Sequence, residues 1–504
     1  MTLSRGSSTL CLAVSAALLF ALTATGRGAT VGSYNTYFGT QTINPAYKFT
    51  DQSALLETAQ GIRAMGSNML KINLKAGKYA GLSGEPSRLD DLARWGDFKR
   101  VLDMDFARYF FWAYSENQVA WRYGEYTEAE QLVDYQEIYD LTTHLLTEYN
   151  GTNKTFYIGH WEGDWHFLNG AERLSSPDQQ VADQMIEWYN VRQLAIDNAK
   201  AALSGAVADV NVFHYAEVNH VRKAIENPEL RSVTNDVLPQ SNVDFVSWSA
   251  WEMLNDPATG ELADAVTAGL EHIQSQLAPK AGLPTEKRAF LGEMGWNIAN
   301  EHVAGDEAAR EQRAREVALG AIDWGTPFVQ YWQLYDNSAN KGDDKRFWLI
   351  DDQGDESPLY WTMYNYNLLS QQYLHDYEAE FGVLPSDATF REFALETLAS
   401  VPSDGPIALA ALIGDYDGSG QVEQGDLNLV LQNWGVDTAI NGLPTAWVSD
   451  PPDGLIDQDE LNRVLNNWGD SSAPALTAIP EPGGLLLAVT ILTQLTLQRI
   501  RPAT

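Results

Sequence analysis

The chain has 504 residues, 44% of them hydrophobic, enough for one large core plus a small appended unit. Acidic residues outnumber basic ones 68 to 33, a formal net charge of −35. A nucleic-acid backbone would be repelled over most of such a surface, which leaves neutral sugars or calcium as the expected partners.

Residues 1–29 carry Arg5, an apolar run over 10–22 and then small residues, the layout of a secretory signal peptide. The mature chain is therefore expected to be exported. The sole cysteine, Cys11, lies inside that segment, so a disulfide framework, a cysteine nucleophile, a CxxC redox site and a thiolate zinc site are excluded.

Strands and helices then alternate. Residues 32–38 are the first predicted strand, 53–65 have helical spacing before Gly66, and 69–74 form strand two. A helix over 89–102 leads to the aromatic strand three at 106–112, and a long helix over 127–149 leads to strand four. That strand opens the stretch 154–170, KTFYIGHWEGDWHFLNG, and is carried by Phe156, Tyr157 and Ile158. A helix over 178–203, strand five at 210–215, strand six at 243–249, a helix over 262–277 and strand seven at 288–294 follow. A helix over 307–322, strand eight at 328–334 and helices over 359–400 complete the pattern. Eight such alternations imply an α/β fold, a parallel (β/α)8 TIM barrel spanning 30–400.

In such a barrel the C-terminal strand ends form the active face. Strand four ends there in His160, Trp161, Glu162, Asp164, Trp165 and His166, a concentration of acids and aromatics that points to a sugar site. Strand seven ends in Glu293, within FLGEMGW. A proton donor on one side of a glycosidic bond and a carboxylate on the other is what an oxocarbenium-like transition state requires. Glu217 and Glu252, after strands five and six, are further candidates for this pair, the commoner role of such acids being a sugar-hydroxyl acceptor or a loop salt bridge. Trp112, Trp161, Trp165, Trp248, Trp251, Trp296 and Trp332 fall at predicted strand ends, where indole faces stack on pyranose C–H groups. His214 and Tyr215 are candidates to orient a carboxylate.

These positions resemble those of clan A glycoside hydrolases, over about 34–337. The resemblance implies a retaining enzyme with Glu162 as acid/base and Glu293 as nucleophile, and it matches Trp332 to a tryptophan under the sugar. That family usually has Asn immediately before the strand-four glutamate, where this chain has Trp161, which leaves Asp164 as a rival acid/base. From their places at the strand ends, the expected substrate-binding set is Trp161, Asp164, Trp165, His214, Tyr215, Trp248, Trp296 and Trp332. No cofactor is expected for the chemistry. Two other readings stand beside this one: a catalytically inactive carbohydrate-binding barrel, and a cell-surface scaffold component acting through its C-terminal module.

Residues 401–411 have linker composition, and 412–470 contain an internal repeat in which LNLVLQNWG recurs as LNRVLNNWG, with Leu427 and Leu461 34 residues apart. In the first repeat Asp415, Asp417, Ser419, Gln421, Glu423 and Asp426 occupy positions 1, 3, 5, 7, 9 and 12 of a calcium loop, with Gly420 at the turn. In the second, Asp453, Leu455, Asp457 and Glu460 align with positions 5, 7, 9 and 12, while Ser449 and Pro451 replace the first two acids. Two such loops, each leading into a short helix, resemble a type I dockerin, a small all-α EF-hand domain. That implies bound Ca2+ and a cohesin-like partner.

The remainder, 471–504, contains Pro480-Glu481-Pro482, an apolar run over 483–497, then Arg499 and Arg501. It resembles a PEP-CTERM sorting tail, which implies transient membrane engagement and delivery to the cell surface, outer envelope or medium. Its run of about 15 residues is shorter than the roughly 20 of a spanning helix.

Overall fold

The computed structural model describes residues 29–338, 345–407 and, further on, 415–417, 422–436, 438, 444, 447 and 455–466. Eight parallel strands close into a barrel in sequence order: β1 Phe38–Thr42, β2 Met69–Leu74, β3 Arg108–Ala113, β4 Lys154–Gly159, β5 Val210–Val218, β6 Phe245–Ser249, β7 Ala289–Met294 and β8 Val329–Tyr331. β8 pairs back onto β1 through Phe38 and Val329.

Several elements depart from the expected bounds. The first strand starts at Phe38 rather than 32, because Val31–Ser33 is a single 3-10 turn capped by Thr30 and Tyr37 takes a left-handed backbone (φ 61°) just before the strand. The helix expected over 89–102 is two, Leu89–Ala93 and Gly96–Asp103, separated where Gly96 adopts φ +47°. Strand five runs on to Val218, which draws Glu217 into the barrel wall.

The period of two along each strand sorts side chains inward and outward. Met69, Phe110, Tyr157, Phe213, Tyr215, Phe245, Phe290 and Phe328 form one mostly aromatic cluster inside the barrel. The alternate residues, among them Leu70, Ile72, Tyr109, Phe111, Val212, Val246 and Trp248, pack in the core shared with the surrounding helices. Above the aromatic cluster the inward positions turn polar: Gln41, Lys71, Glu217, Ser247 and Gln330 are all buried. One irregularity interrupts the alternation. Trp248 pairs with Leu291 but Ser249 pairs with Glu293, so β7 carries one extra residue at Gly292. This bulge turns Glu293 away from the outward parity of Ala289 and Leu291 and into the barrel mouth. Gly292 also has no room for a side chain, since a Cβ there would stand 1.8 Å from Ser247 Oγ.

Within 401–411, Ile407 donates to Asn365 Oδ1 (2.9 Å), and the Asn365 amide donates to the carbonyls of Pro402 (3.0 Å) and Gly405 (2.8 Å). Beyond it, helices Gln424–Gln432 and Gln458–Asn466 share a small core of Tyr416, Val422, Val430, Trp447, Ile456 and Val464. The pairs Val422/Ile456 and Val430/Val464 repeat the 34-residue period seen in sequence, so each repeat contributes equivalent core positions. The expected signal peptide with Cys11, the sorting tail, and Ser419, Gln421 and Asp453 lie outside the described residues. Among the described residues, no helix is long and apolar enough to cross a membrane.

Candidate active site

A cleft of about 870 Å³ opens at the C-terminal strand ends. Glu162, Glu293, Trp161, Trp165 and Trp332 line it, as do Trp112, Trp251 and Tyr114. Trp332 precedes a cis peptide to Gln333. Its ring lies 5.8 Å from Trp112 and 6.1 Å from Trp251, and Trp112 in turn lies 6.4 Å from Trp161, so indoles surround the carboxylates. Trp161 and Trp165 remain 37% and 38% exposed, so part of each indole is open at the rim.

Below the cleft lies a buried ionic centre. Lys71, on β2, places its Nζ 2.9 Å from Glu217 Oε2 and 3.1 Å from Glu293 Oε1, donates to the Gly292 carbonyl (3.2 Å), and sits 4.9 Å from the Trp112 ring. Burial pulls the lysine toward neutrality, but the two carboxylates outweigh it and raise its pKa. Glu217 is saturated: Oε2 also accepts from Ser247 Oγ (2.8 Å), and Oε1 accepts the Glu162 backbone N–H (2.9 Å). It does not line the cleft; it fixes Lys71 below and the Glu162 elbow above.

The Glu217 N–H in turn donates to His160 Nε2 (3.3 Å), while His160 Nδ1 contacts the Trp161 carbonyl (3.0 Å). These partners assign the proton to Nδ1, and burial holds the imidazole neutral.

The two cleft carboxylates differ in their surroundings. Glu293 Oε2 accepts the Trp251 indole N–H (3.1 Å) and Oε1 faces Lys71. Burial raises its pKa to about 7, with Lys71 the main opposing influence. Glu162 caps the short helix Gly163–Leu168 and is buried, with no cation bonded to it among the described residues. Burial first, then Glu293 and Glu217, push its pKa well up, and Lys71 and the Trp165 indole do not offset them. Glu162 thus keeps its proton to higher pH than Glu293.

Five expected binding residues do not reach the cleft. His214 and Trp248 have outward parity: His214 meets Arg192 (3.4 Å), and Trp248 packs on Gly269 of the helix Leu262–Ser275. Tyr215 points inward but one layer too deep, its hydroxyl on the Phe111 carbonyl (3.1 Å). Trp296 is buried with its N–H on the Leu254 carbonyl (2.8 Å) and Arg313 over its ring (5.0 Å). Asp164 is a staple: Oδ2 accepts the backbone N–H groups of Asn219 (3.0 Å) and His220 (3.2 Å), and Oδ1 that of Val233 (3.1 Å). Its carboxylate is consumed by the loop after β5 and is not poised to move a proton. Glu252 does line the cleft, paired with Arg173 at 3.1 Å.

Lys71 escaped the sequence reading, although a lysine within the apolar strand MLKINL is a signal, since both faces of a parallel barrel strand are buried.

In the C-terminal unit, carboxylate oxygens of Asp415, Asp417 and Asp426 lie within 4.8 Å of one another. Asp426 Oδ1 accepts the N–H groups of Tyr416 (2.6 Å) and Asp417 (3.0 Å), and Oδ2 that of Glu423 (2.8 Å). Glu460 repeats the last contact, accepting from Asp457 N (2.8 Å). An all-oxygen set with carboxylates this close suits a hard cation such as calcium.

No family model and no curated protein matches the chain. Similar solved structures include a family 39 glycoside hydrolase from Bacteroides cellulosilyticus WH2, 12% identical with a TM-score of 0.41 over 66% of this chain and 64% of that one. A GH5_18 structure from Bifidobacterium longum subsp. infantis is 11% identical, TM-score 0.44, over 74% and 81%. An exo-β-1,4-mannosidase from Opitutaceae bacterium strain TAV5 is 13% identical, TM-score 0.44, over 67% and 60%. The chain spans less than two thirds of the first and third. The barrel stands on its own strand pairing, and the chemistry rests on the cleft's own residues.

Proposed function

We propose that the protein is an exported retaining glycoside hydrolase acting on a polysaccharide, with Glu293 as nucleophile and Glu162 as acid/base. The observation that carries this reading is the pair of buried carboxyls on one aromatic cleft whose environments separate their protonation: Lys71 and the Trp251 N–H favour ionised Glu293, while burial beside two other carboxylates keeps Glu162 protonated. In the first step a Glu293 oxygen bonds to the anomeric carbon as the glycosidic C–O bond breaks, and the Glu162 proton goes to the departing oxygen. In the second, Glu162 takes a proton from water, the water oxygen attacks the anomeric carbon, and Glu293 is released. Incubating the mature protein with a polysaccharide panel tests this. Release of reducing ends whose first-formed anomer keeps the substrate configuration supports it; gel retardation without release would leave a binding barrel.

The C-terminal unit is proposed to be a dockerin-like module that holds Ca2+ through Asp415, Asp417, Glu423 and Asp426, and in its second repeat through Leu455, Asp457 and Glu460, and that docks on a cohesin-like protein. The tail is proposed to sort the enzyme to the cell surface. Deletion after Ala475 should release protein that otherwise stays cell-associated, and equal secretion of both forms would remove this proposal.

A further inference from the structure

One wall of the cleft carries charge that the hydrolytic mechanism does not use. Lys75 and Lys78, in the loop after β2, both line the cleft, and neither pairs with a carboxylate among the described residues. Lys75 donates to Gln118 Oε1 (2.5 Å), and the Gln118 amide N–H is committed to the Ser115 carbonyl (3.0 Å), which holds the amide oxygen toward the lysine. Burial, and then the neighbouring Lys78, disfavour the charged form of Lys75. Beside them Asn73 donates to Asn44 Oδ1 (3.4 Å), while its own Oδ1 is buried without a partner. Across the cleft Arg173 is neutralised by Glu252. Among the described residues, the β2 wall thus presents two lysines that no carboxylate neutralises, in a chain with a net charge of −35.

Two ammonium groups close together in a partly dry cleft repel one another, and an anion bound between them relieves both while gaining charge-assisted hydrogen bonds. We propose that this wall is a subsite for an acidic sugar: Lys75 and Lys78 receive the carboxylate of a uronate or the oxygens of a sulfate ester, and Asn73 Oδ1 accepts a sugar hydroxyl. The inference rests on the glycoside hydrolase reading and names its substrate class. The remaining surface limits how much charge the glycan carries, because a dense polyanion crossing so acidic a protein is repelled beyond the cleft. The substrate is a largely neutral glycan with one acidic sugar at this wall.

The test uses the full chain carrying Glu293→Gln to prevent turnover. Calorimetry compares neutral β-linked oligosaccharides, the same oligosaccharides with one glucuronate branch or one sulfate ester, and polygalacturonate. The singly acidic ligands should bind at least about 10-fold tighter than the neutral ones, and whichever of the two binds tighter identifies the group. That advantage should shrink with added salt, vanish in Lys75→Met/Lys78→Met, survive in Lys75→Arg/Lys78→Arg, and reverse in Lys78→Glu, with unchanged melting temperatures. Equal affinity for neutral and acidic ligands, tightest binding of polygalacturonate, or retention of the advantage in the double Met variant would overturn the proposal. The two readings fail separately: turnover of neutral glycans by the wild type, indifferent to both lysines, removes only the acidic subsite. Lysine-dependent binding with no turnover of any glycan by the wild type removes only the hydrolase.

Discussion

The Lys71 ammonium stands 3.1 Å from Glu293 Oε1 and is the main influence holding that carboxyl's pKa down against burial. If Glu293 must be ionised to attack, the acid limb of kcat/KM falls near the pKa of about 7 that this balance sets. Lys71→Met removes the opposing charge, so the limb should move to higher pH by about 1 unit or more, and activity at pH 6 should drop by at least about 10-fold. Lys71→Arg should keep most of the wild-type profile. A pH–rate profile of Lys71→Met with an unshifted acid limb would detach Lys71 from the chemistry.

The same raised carboxyl carries a stability signature. Its folded pKa of about 7 exceeds the ordinary 4.5, so the folded state binds this proton more tightly than the unfolded chain does. The resulting stabilisation is complete below about pH 4.5 and is lost as pH rises through about 7. Glu293→Gln should therefore gain stability relative to wild type across that window, on the order of 1–3 kcal/mol, as read from denaturant unfolding at pH 4.5 and 7.5. A constant difference between the two proteins at both pH values would contradict the raised pKa.

Roles are separated by leaving group. Glu293→Ala should remove nearly all turnover because no covalent intermediate can form. Glu162→Ala should retain far more activity on substrates whose leaving groups need no protonation. If both variants lost activity equally on activated aryl glycosides and on polysaccharide, the assignment of acid/base to Glu162 would not stand.

The barrel was legible because parallel strands separated by amphipathic helices leave strong periodic signals, and the carboxylates at the ends of β4 and β7 are conspicuous in local sequence. Parity was harder to read. Trp248 and His214 sit at strand ends but share outward parity with Val246 and Val212, and nothing in composition distinguishes an indole that meets Gly269 from one that meets a sugar. Glu293 shows the converse, since without the extra residue at Gly292 it would share the outward parity of Leu291. A bulge leaves only a glycine as its trace in sequence. The Lys71–Glu217–Glu293 centre joins β2, β5 and β7, and only closure of the barrel brings residues so far apart in the chain together.

Calcium binding can be tested apart from the barrel. Asp415, Asp417 and Asp426 bring like charges within 4.8 Å in a unit with a core of few side chains, so a cation there offsets repulsion as well as linking loop to helix. In the full chain, calcium should raise the melting temperature of a minor, C-terminal transition. Asp415→Ala should lose that shift and weaken calcium binding by at least about 10-fold, with the barrel transition unmoved. Calorimetry showing unchanged binding in that variant would refute the loop assignment.

Asp164 separates a structural acid from a chemical one. Its two oxygens accept backbone N–H groups from Asn219, His220 and Val233, and its own N–H donates to Asn219 Oδ1 at 3.2 Å. It therefore ties the Glu162 helix to the loop after β5, and that helix sets where the Glu162 carboxyl sits. Asp164→Ala leaves three buried donors unpaired, each worth about 1–3 kcal/mol, so stability should fall by at least about 3 kcal/mol. Asp164→Asn keeps an acceptor oxygen but turns an NH2 toward the other donors, and should lose roughly half as much. In both variants the activity that remains should show the wild-type dependence on leaving-group pKa, because Glu162 still supplies the proton. A normal melting temperature in Asp164→Asn, together with activity that survives only on good leaving groups, would instead make Asp164 the acid/base and leave Glu162 as its neighbour.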